Sequence, residues 1–118
     1  MWMAQKMTAS GKTSGHQLGK VMGQSDGKIL VQGDTDYQCL PVSSPWGIVW
    51  LPPENATAVV LSSGVGEGQQ DVCIGTRLDS STIAPGELLL RSSGGAEIYL
   101  KNNGEVVING QTFAKKEG

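Results

Sequence analysis

Charged residues are scarce in this 118-residue sequence, at 17% of the chain against roughly 25% in a typical globular protein. The formal net charge is -2, and the longest basic run is Lys115-Lys116. Binding to duplex nucleic acid requires clustered Lys and Arg side chains that neutralise phosphates. The charge pattern therefore argues against nucleic acid as a partner.

Residue types that carry catalysis and metal binding are also rare. His16 is the only histidine, and Cys39 and Cys73 are the only cysteines. No Ser or Cys nucleophile is paired with a histidine, no carboxylate pair stands in an apolar context, and no Cys-x-x-Cys motif occurs. We therefore expect a protein that is not an enzyme and uses no metal or cofactor. Both cysteines are expected to be buried small hydrophobes, with a disulfide between them as the alternative.

Long apolar runs are missing as well. No window approaches the length of a membrane-spanning helix, and Met1–Ser10 has no apolar core of the kind that marks a signal peptide. We therefore expect assembly in a cytoplasm. Glycine, with 17 residues, has about twice its usual share, which together with few helix formers predicts an all-β chain dense in tight turns.

What the sequence does contain is a C-terminal ladder of alternating segments. Three windows begin with glutamate and then alternate apolar and other residues: Glu87–Arg91, Glu97–Lys101 and Glu105–Asn109. Alternation of this kind is typical of strands with one apolar face. The windows are joined by Gly94-Gly95 and by Asn103-Gly104, the strongest short signal for a hairpin turn. The pattern predicts short strands joined by tight turns.

The apolar side chains of the ladder are expected to share one face. That face comprises Leu88, Leu90, Ile98, Leu100, Val106 and Ile108. The opposite face carries Glu87, Arg91, Glu97, Lys101, Glu105 and Asn109, although the middle positions Leu89, Tyr99 and Val107 are also apolar. A thin meander needs something packed on its apolar face. Two alternatives follow: several copies share one core, or the ladder is the last meander of a monomeric barrel.

The preceding part of the chain predicts about five short strands. A first hairpin, Leu18–Met22 with Lys28–Val31, turns at an Asp-Gly pair. Ala56–Ser62 contains a continuous apolar run, which predicts a strand buried on both faces. The remaining strands are Tyr37–Val42 and Asp71–Leu78. A small all-β chain of this kind is most commonly closed as an OB-type barrel.

These patterns divide the chain into four parts. Residues 1–16 are expected to form a flexible N-terminal arm that carries the apolar patch Met1-Trp2-Met3. Residues 17–80 form the OB-fold-like barrel, and residues 86–113 form the ladder. Residues 114–118 form a tail.

Several short segments match a known family in their order and spacing. They are Pro45-Trp46-Gly47, the run Leu51–Leu61, the run Gly68–Thr76, the Pro85-Gly86-Glu87 turn with its leucines, and Glu97–Lys101 with Gly104. Together they resemble the phage Mu-type baseplate spike (baseplate assembly protein V) family, over roughly residues 17–110. In that family a Pro-Gly-Glu run leads from a barrel into a ladder of strands.

The resemblance implies a homotrimer in which three OB barrels form a collar above an intertwined, trimeric β-helix. The six apolar ladder residues would then face the shared axis. Such spikes are structural proteins at the baseplate of a contractile tail, in a phage virion or a phage tail-like particle. They cap the tail tube and puncture the cell envelope of the target when the sheath contracts. A baseplate hub protein is the implied partner, with Trp2, Trp46 and Trp50 as candidate docking residues.

The sequence departs from the family at its end. Spikes of this family often bind iron at the apex through a His-x-His motif, whereas this chain has no histidine after His16. The resemblance therefore transfers no metal site. We expect a short needle, completed by a separate tip protein or closed by an apolar plug of Phe113 side chains.

Two other functions compete with the spike. One is an OB-fold binding module for single-stranded nucleic acid or a saccharide, which would need a basic groove with stacked aromatics. The aromatic residues of the barrel segment, residues 17–80, are Tyr37, Trp46 and Trp50, and Lys20 and Lys28 are isolated. The other is a plain structural repeat or capping protein, which would share the trimer but not the tail.

Overall fold

The structure, a computed structural model, describes residues 15–64, 68 and 70–116. In this part of the chain the regular elements are β-strands, so the predicted all-β class is confirmed. The strands form two antiparallel sheets. They belong to two compact units that divide between Arg77 and Leu78. Among the described residues, no helix is long and apolar enough to cross a membrane.

The first unit contains a five-stranded sheet. Its strands are β1 (Gly15–Ser25), β2 (Lys28–Gly33), β3 (Tyr37–Leu40), β4 (Thr57–Ser63) and β5 (Gln70–Thr76), in the spatial order β3-β2-β1-β4-β5. The expected arm, residues 1–16, lies outside the described residues except for Gly15 and His16. These two belong to β1 and pair with Ser62 and Leu61 of β4.

The first hairpin is tighter than the sequence suggested. β1 continues to Ser25, and Asp26 and Gly27 alone connect it to β2. Both residues have positive φ, 54° and 77°, as a type I′ turn requires. This turn matches the twist of the strands it joins, and the hairpin predicted from the Asp-Gly pair is confirmed.

The core of the first unit lies on one face of its sheet. The fully buried apolar side chains are Val21, Ile29, Val31, Leu40, Ala58, Val60 and Cys73, and Tyr37 is nearly as buried. Val42, Trp50 and Ala56 pack against this cluster. The core therefore draws on all five strands.

Two burial expectations were wrong. The apolar run of β4 is not buried on both faces, because Ala58 and Val60 point into the core while Leu61 is exposed on the other side. Cys39 is exposed rather than buried, since β3 directs Tyr37 and Leu40 into the core instead. Cys73 is buried as expected, and the two thiols, both described, are free.

The edge strands β3 and β5 approach each other at one point. Val42, just after β3, forms a parallel bridge with Cys73 of β5. The Ser43 amide donates to the Cys73 carbonyl over 2.8 Å, and the Cys73 amide donates to the Pro41 carbonyl over 2.9 Å. The segment after β3 thus joins the two edges of the sheet.

The second unit contains a four-stranded antiparallel meander. Its strands are β6 (Leu88–Arg91), β7 (Glu97–Leu100), β8 (Val106–Ile108) and β9 (Gln111–Phe113), in the order β9-β8-β7-β6. The first three correspond to the predicted windows. β9 was not predicted as a strand, although Asn109-Gly110 supplies the same hairpin signal as Asn103-Gly104.

Candidate functional site: the apolar face of the C-terminal sheet

The register of the second sheet places the six predicted apolar residues of β6, β7 and β8 on one face. Leu88 is opposite Leu100, and Leu90 is opposite Ile98. On the other side of β7, Ile98 is opposite Ile108 of β8, and Leu100 is opposite Val106. Directly opposed residues of an antiparallel pair point to the same side of the sheet.

β9 extends this surface by one aromatic side chain, because Phe113 is opposite Val106. We call the surface the ladder face. It consists of the six predicted residues and Phe113: Leu88, Leu90, Ile98, Leu100, Val106, Ile108 and Phe113. The candidate apex residue is therefore continuous with the candidate trimer core.

The ladder face is exposed in the single chain. Six of its seven side chains are between 39 and 51% exposed, and Val106 is half-buried. Single exposed aliphatic residues are normal on protein surfaces, but a contiguous apolar patch marks an interaction site. Gln111, opposite Ile108, is a polar residue on the same side of the sheet. Burial of the ladder face is most favourable against another apolar surface.

The opposite face of the second sheet is mixed. Leu89, Tyr99, Val107 and Thr112 form one continuous row across the four strands. Arg91 of β6 is opposite Glu97 of β7. Leu89, Tyr99 and Val107 are half-buried within this sheet, so the apolar middle positions found in the sequence lie on this face.

Glu87 binds the hydroxyl group of Tyr99, which is a member of that row. Its carboxylate accepts hydrogen bonds from the Tyr99 hydroxyl at 2.5 Å, the Ala84 amide at 3.0 Å and the Asn102 amide at 2.9 Å. These bonds favour the charged form, with the Tyr99 bond contributing most, and they lower the pKa of Glu87 below its ordinary value. Glu87 therefore connects the segment before β6, the strand β7 and the turn after it.

Asn102 completes this arrangement. Its side-chain amide donates to the Pro85 carbonyl over 3.0 Å. Pro85 and Gly86 form the turn between Ala84 and Glu87, in which Gly86 has φ +96°. Sequence reasoning treated Glu87 only as an outward-facing residue and missed this role. The signal was present in the Pro-Gly turn immediately before it.

Asn109 has a comparable role at the other end of the sheet. Its side-chain oxygen accepts from the Glu97 amide at 2.8 Å, and its own amide donates to the Glu97 carbonyl over 3.1 Å. Asn109 also adopts φ +48°, a conformation that Asn tolerates better than most residues. It holds the β8–β9 turn against β7.

The candidate docking tryptophans differ in their environments. Trp46 is 100% exposed in a turn closed by the Ile48 amide donating to the Pro45 carbonyl over 3.0 Å. Trp50 is half-buried against the core of the first unit, and its indole donates to the Ser43 carbonyl over 2.9 Å. Trp2 lies outside the described residues.

The residues suggested for a nucleic-acid groove do not form one. Tyr37 is buried in the core, Trp50 is half-buried, and only Trp46 presents its ring to solvent. Lys20 and Lys28 are exposed on β1 and β2. Within the described residues, no group of three or more His, Cys, Asp or Glu side chains is placed to hold a metal ion.

The sequence matches no family model, and no curated protein matches it significantly.

Proposed function

We propose that this chain is a structural subunit that self-associates through the ladder face to form the central spike of a contractile-tail baseplate. The observation that carries the proposal is the continuous exposed row of Leu88, Leu90, Ile98 and Leu100, extended by β8 and β9. An identical chain offers an equally apolar surface to cover it. The chain then acts through stiffness rather than through chemistry.

The energetics support burial of the ladder face by association. Full burial of a Val, Leu, Ile or Phe side chain contributes about 1.5–3 kcal/mol. Since these side chains are about half exposed, covering them would contribute roughly 5–10 kcal/mol per chain before the cost of association. That cost is on the order of 4–15 kcal/mol. The gain and the cost are therefore of the same order, and burial of the ladder face offsets much of the cost of association.

The ladder face requires other copies, and the number three comes from the resemblance to the baseplate spike family. In a trimer, three ladder faces would meet at one axis and form a dry core. The edge strands β6 and β9 of neighbouring copies would then lie close enough to pair, which would remove the open sheet edges. A closed sheet without free edges supplies the stiffness that a needle needs.

The first unit fits the role of a collar. Its strand order β3-β2-β1-β4-β5, with the parallel bridge from Val42 to Cys73 between the two edges, is consistent with an OB-type barrel. Trp46, fully exposed on its turn, is the residue we assign to docking on the hub protein of the baseplate. Exposed Trp side chains are enriched among the residues that dominate binding energy at interfaces.

In this proposal the trimer caps the tail tube and is driven into the envelope of the target cell when the sheath contracts. Contraction of the sheath supplies the energy, and the trimer supplies a rigid needle. A separate tip protein or the three Phe113 side chains would close the end of the needle. The protein would reside in the baseplate of a virion or of a phage tail-like particle after assembly in the host cytoplasm.

The mass of the purified full chain in solution tests the self-association. Native mass spectrometry should find a trimer, and negative-stain images should show a collar with a short needle. A folded monomer would contradict the proposal and would make an OB-fold binding module the leading interpretation.

A second experiment separates the spike from other trimeric structural proteins. Antibodies against the purified chain should label the distal end of contractile tail particles from cells that produce it. A trimer that never labels such particles would instead indicate a capping or repeat protein without a tail.

A further inference from the structure

A second candidate site lies in the second unit, on the face of its sheet opposite the ladder face. Residues 78–83, which precede β6, and the strand β6 itself border a cavity of about 420 Å³ that opens to solvent. All of its lining residues belong to the second unit. We call this cavity the side pocket. Its size lies within the range of roughly 300–1,000 Å³ that is usual for sites that bind small molecules.

The side pocket combines an apolar wall with polar groups. The apolar side chains are Leu78, Ile83 and Leu89. The polar side chains are the hydroxyl groups of Ser80, Ser81 and Thr82 and the guanidinium of Arg91. Hydroxyl groups both donate and accept hydrogen bonds, whereas a guanidinium only donates. The set fits a ligand that offers an apolar surface, hydroxyl groups and a negative charge.

Hydrogen bonds hold the wall of the side pocket in place. The Ile83 amide donates to the Ser81 hydroxyl oxygen over 3.2 Å. The next amide, that of Ala84, donates to the Glu87 carboxylate over 3.0 Å. Ile83 and Leu89 are both half-buried. The segment before β6 is therefore fixed against the sheet, and the pocket exists before any ligand binds.

The charge of Arg91 indicates the kind of ligand. Arg91 is two residues after Leu89 on β6, so both side chains lie on the same face of the sheet, and Glu97 of β7 is opposite Arg91. Within the residues that the structure describes, Arg91 forms no ion pair, and the ion pair of this sheet joins Lys101 to Glu105 instead.

Arg91 and Glu97 together select among anions. A guanidinium binds a carboxylate or a phosphate through two parallel hydrogen bonds. The Glu97 carboxylate beside it repels a bare anion, but it accepts hydrogen bonds from the hydroxyl groups of a ligand. A ligand that carries both an acidic group and hydroxyl groups therefore satisfies both side chains.

We propose that the side pocket binds an acidic sugar, which is a saccharide that carries a phosphate or a carboxylate group. The acidic group would accept hydrogen bonds from Arg91, and the sugar hydroxyls would bond to Thr82 and Glu97. The C–H groups of the sugar ring would pack against Leu89. The inference goes beyond the proposed function, because a needle that acts through stiffness needs no ligand. Self-association through the ladder face leaves the opposite face, and with it the side pocket, open.

NMR titration of the full-length chain tests the site. The probes are glucose 6-phosphate and glucuronate, with glucose and inorganic phosphate titrated separately. At least one of the two acidic sugars should shift the amide signals of residues 80–83, Leu89 and Arg91 until they saturate. It should bind at least about tenfold more tightly than glucose and than inorganic phosphate, which corresponds to about 1.4 kcal/mol. Acidic sugars that bind no more tightly than these two controls would overturn the inference.

Three variants assign the binding to particular side chains. Arg91→Gln removes the guanidinium and should weaken binding of the acidic sugar at least about tenfold. Thr82→Val removes one hydroxyl group at nearly constant shape and should weaken it about threefold. Lys115→Gln is the matched control, because it removes the same charge from the second unit at a position that does not line the pocket. Equal weakening in Arg91→Gln and Lys115→Gln would show a general effect of charge and would overturn the inference.

The mass of each sample separates this inference from the proposed function. Native mass spectrometry of the same variants should give the oligomeric state of the wild type, since no substituted residue belongs to the ladder face. A wild-type trimer that binds neither acidic sugar would overturn the inference and leave the proposed function intact. A wild-type monomer that binds an acidic sugar with the expected variant pattern would support the inference and overturn the proposed function.

Discussion

The hydroxyl of Tyr99 donates a 2.5 Å hydrogen bond to the carboxylate of Glu87 and ties strand β7 to the turn that leads into β6. The bond favours the protonated phenol and the ionised carboxylate. It is the largest cause of both the raised pKa of Tyr99 and the lowered pKa of Glu87. Lys101, whose ammonium lies 5.9 Å from the centre of the Tyr99 ring, adds a smaller attraction for the carboxylate.

The stability of the second unit should therefore decline at both ends of the pH scale. For Glu87, the contribution is present above the ordinary pKa of 4.5 and is lost as the pH falls through the lowered folded-state value. For Tyr99, it is present below the ordinary pKa of 10.0 and is lost as the pH rises through the raised value. NMR titration of the Ala84 and Asn102 amides should follow Glu87, and this acid transition should disappear in Glu87→Gln. An acid transition that persists unchanged in the variant would contradict the assignment.

A substitution on the ladder face should affect assembly, whereas a substitution on the opposite face of the same sheet should not. In the proposed trimer, Ile98→Asp would bury one carboxylate from each chain around the shared axis, which is strongly unfavourable, and should abolish the assembly. Glu97→Gln changes the neighbouring residue on the opposite face and should leave the trimer intact. Sedimentation velocity distinguishes the two results. A normal trimer from Ile98→Asp would show that the ladder face does not point to the axis.

Asn109 should matter for two separable reasons, its side-chain hydrogen bond and its positive φ. Asn109→Ala removes the bond to the Glu97 amide and places a less tolerant residue at φ +48°. It should lower the free energy of unfolding by about 1–2 kcal/mol. Asn109→Gly loses the bond but keeps the conformation, so its cost should be about half as large. Urea unfolding measures the free energy of unfolding of both variants. Equal losses in the two variants would mean that the positive φ at position 109 does not contribute to the cost.

The two described tryptophans should differ in their effect on stability. Trp50→Ala removes packing against the core and the hydrogen bond to the Ser43 carbonyl, and should cost about 2–3 kcal/mol. Trp46→Ala removes a ring that is fully exposed, so the cost should stay below about 0.5 kcal/mol. Chemical unfolding followed by far-UV circular dichroism measures both. A large loss of stability in Trp46→Ala would contradict the assignment of Trp46 as a docking residue.

The strands of the second unit were largely predictable because their pairing is local. Period-two alternation and Gly-Gly or Asn-Gly turns indicated β6, β7 and β8 and the side chains that share a face. β9 was missed because Gln111–Phe113 contains a single apolar residue and so shows no alternation, even though Asn109-Gly110 marked the turn before it.

The first unit was less predictable, for physical reasons that the sequence does not display. β1 pairs with β4 as well as with β2, and no local pattern reveals a pairing between distant segments. The apolar run Ala58–Leu61 predicted burial on two sides, whereas one chain provides protein on one side only. Alternation in the four residues of β3 likewise gave no reason to place Cys39 outside the core.

The polar contacts of Glu87 could not be predicted from the sequence for a further reason. Its carboxylate meets the Asn102 amide across 15 positions of sequence, and the distance depends on how two separate turns are shaped. The Pro-Gly dipeptide indicates that a turn exists. It does not indicate which amide a following glutamate will accept from.

The meander order of the second unit also has a consequence for how the chain folds. Each of its strands pairs with the next one along the chain, whereas β1 must find β4, with Lys20 opposite Thr57 and Gly15 opposite Ser62. Short loops close at a lower entropic cost, and sheets with local contacts form faster. On the ribosome the slower first sheet emerges before the faster second one. The exposed apolar ladder face therefore forms last, when the rest of the subunit has had the most time to fold.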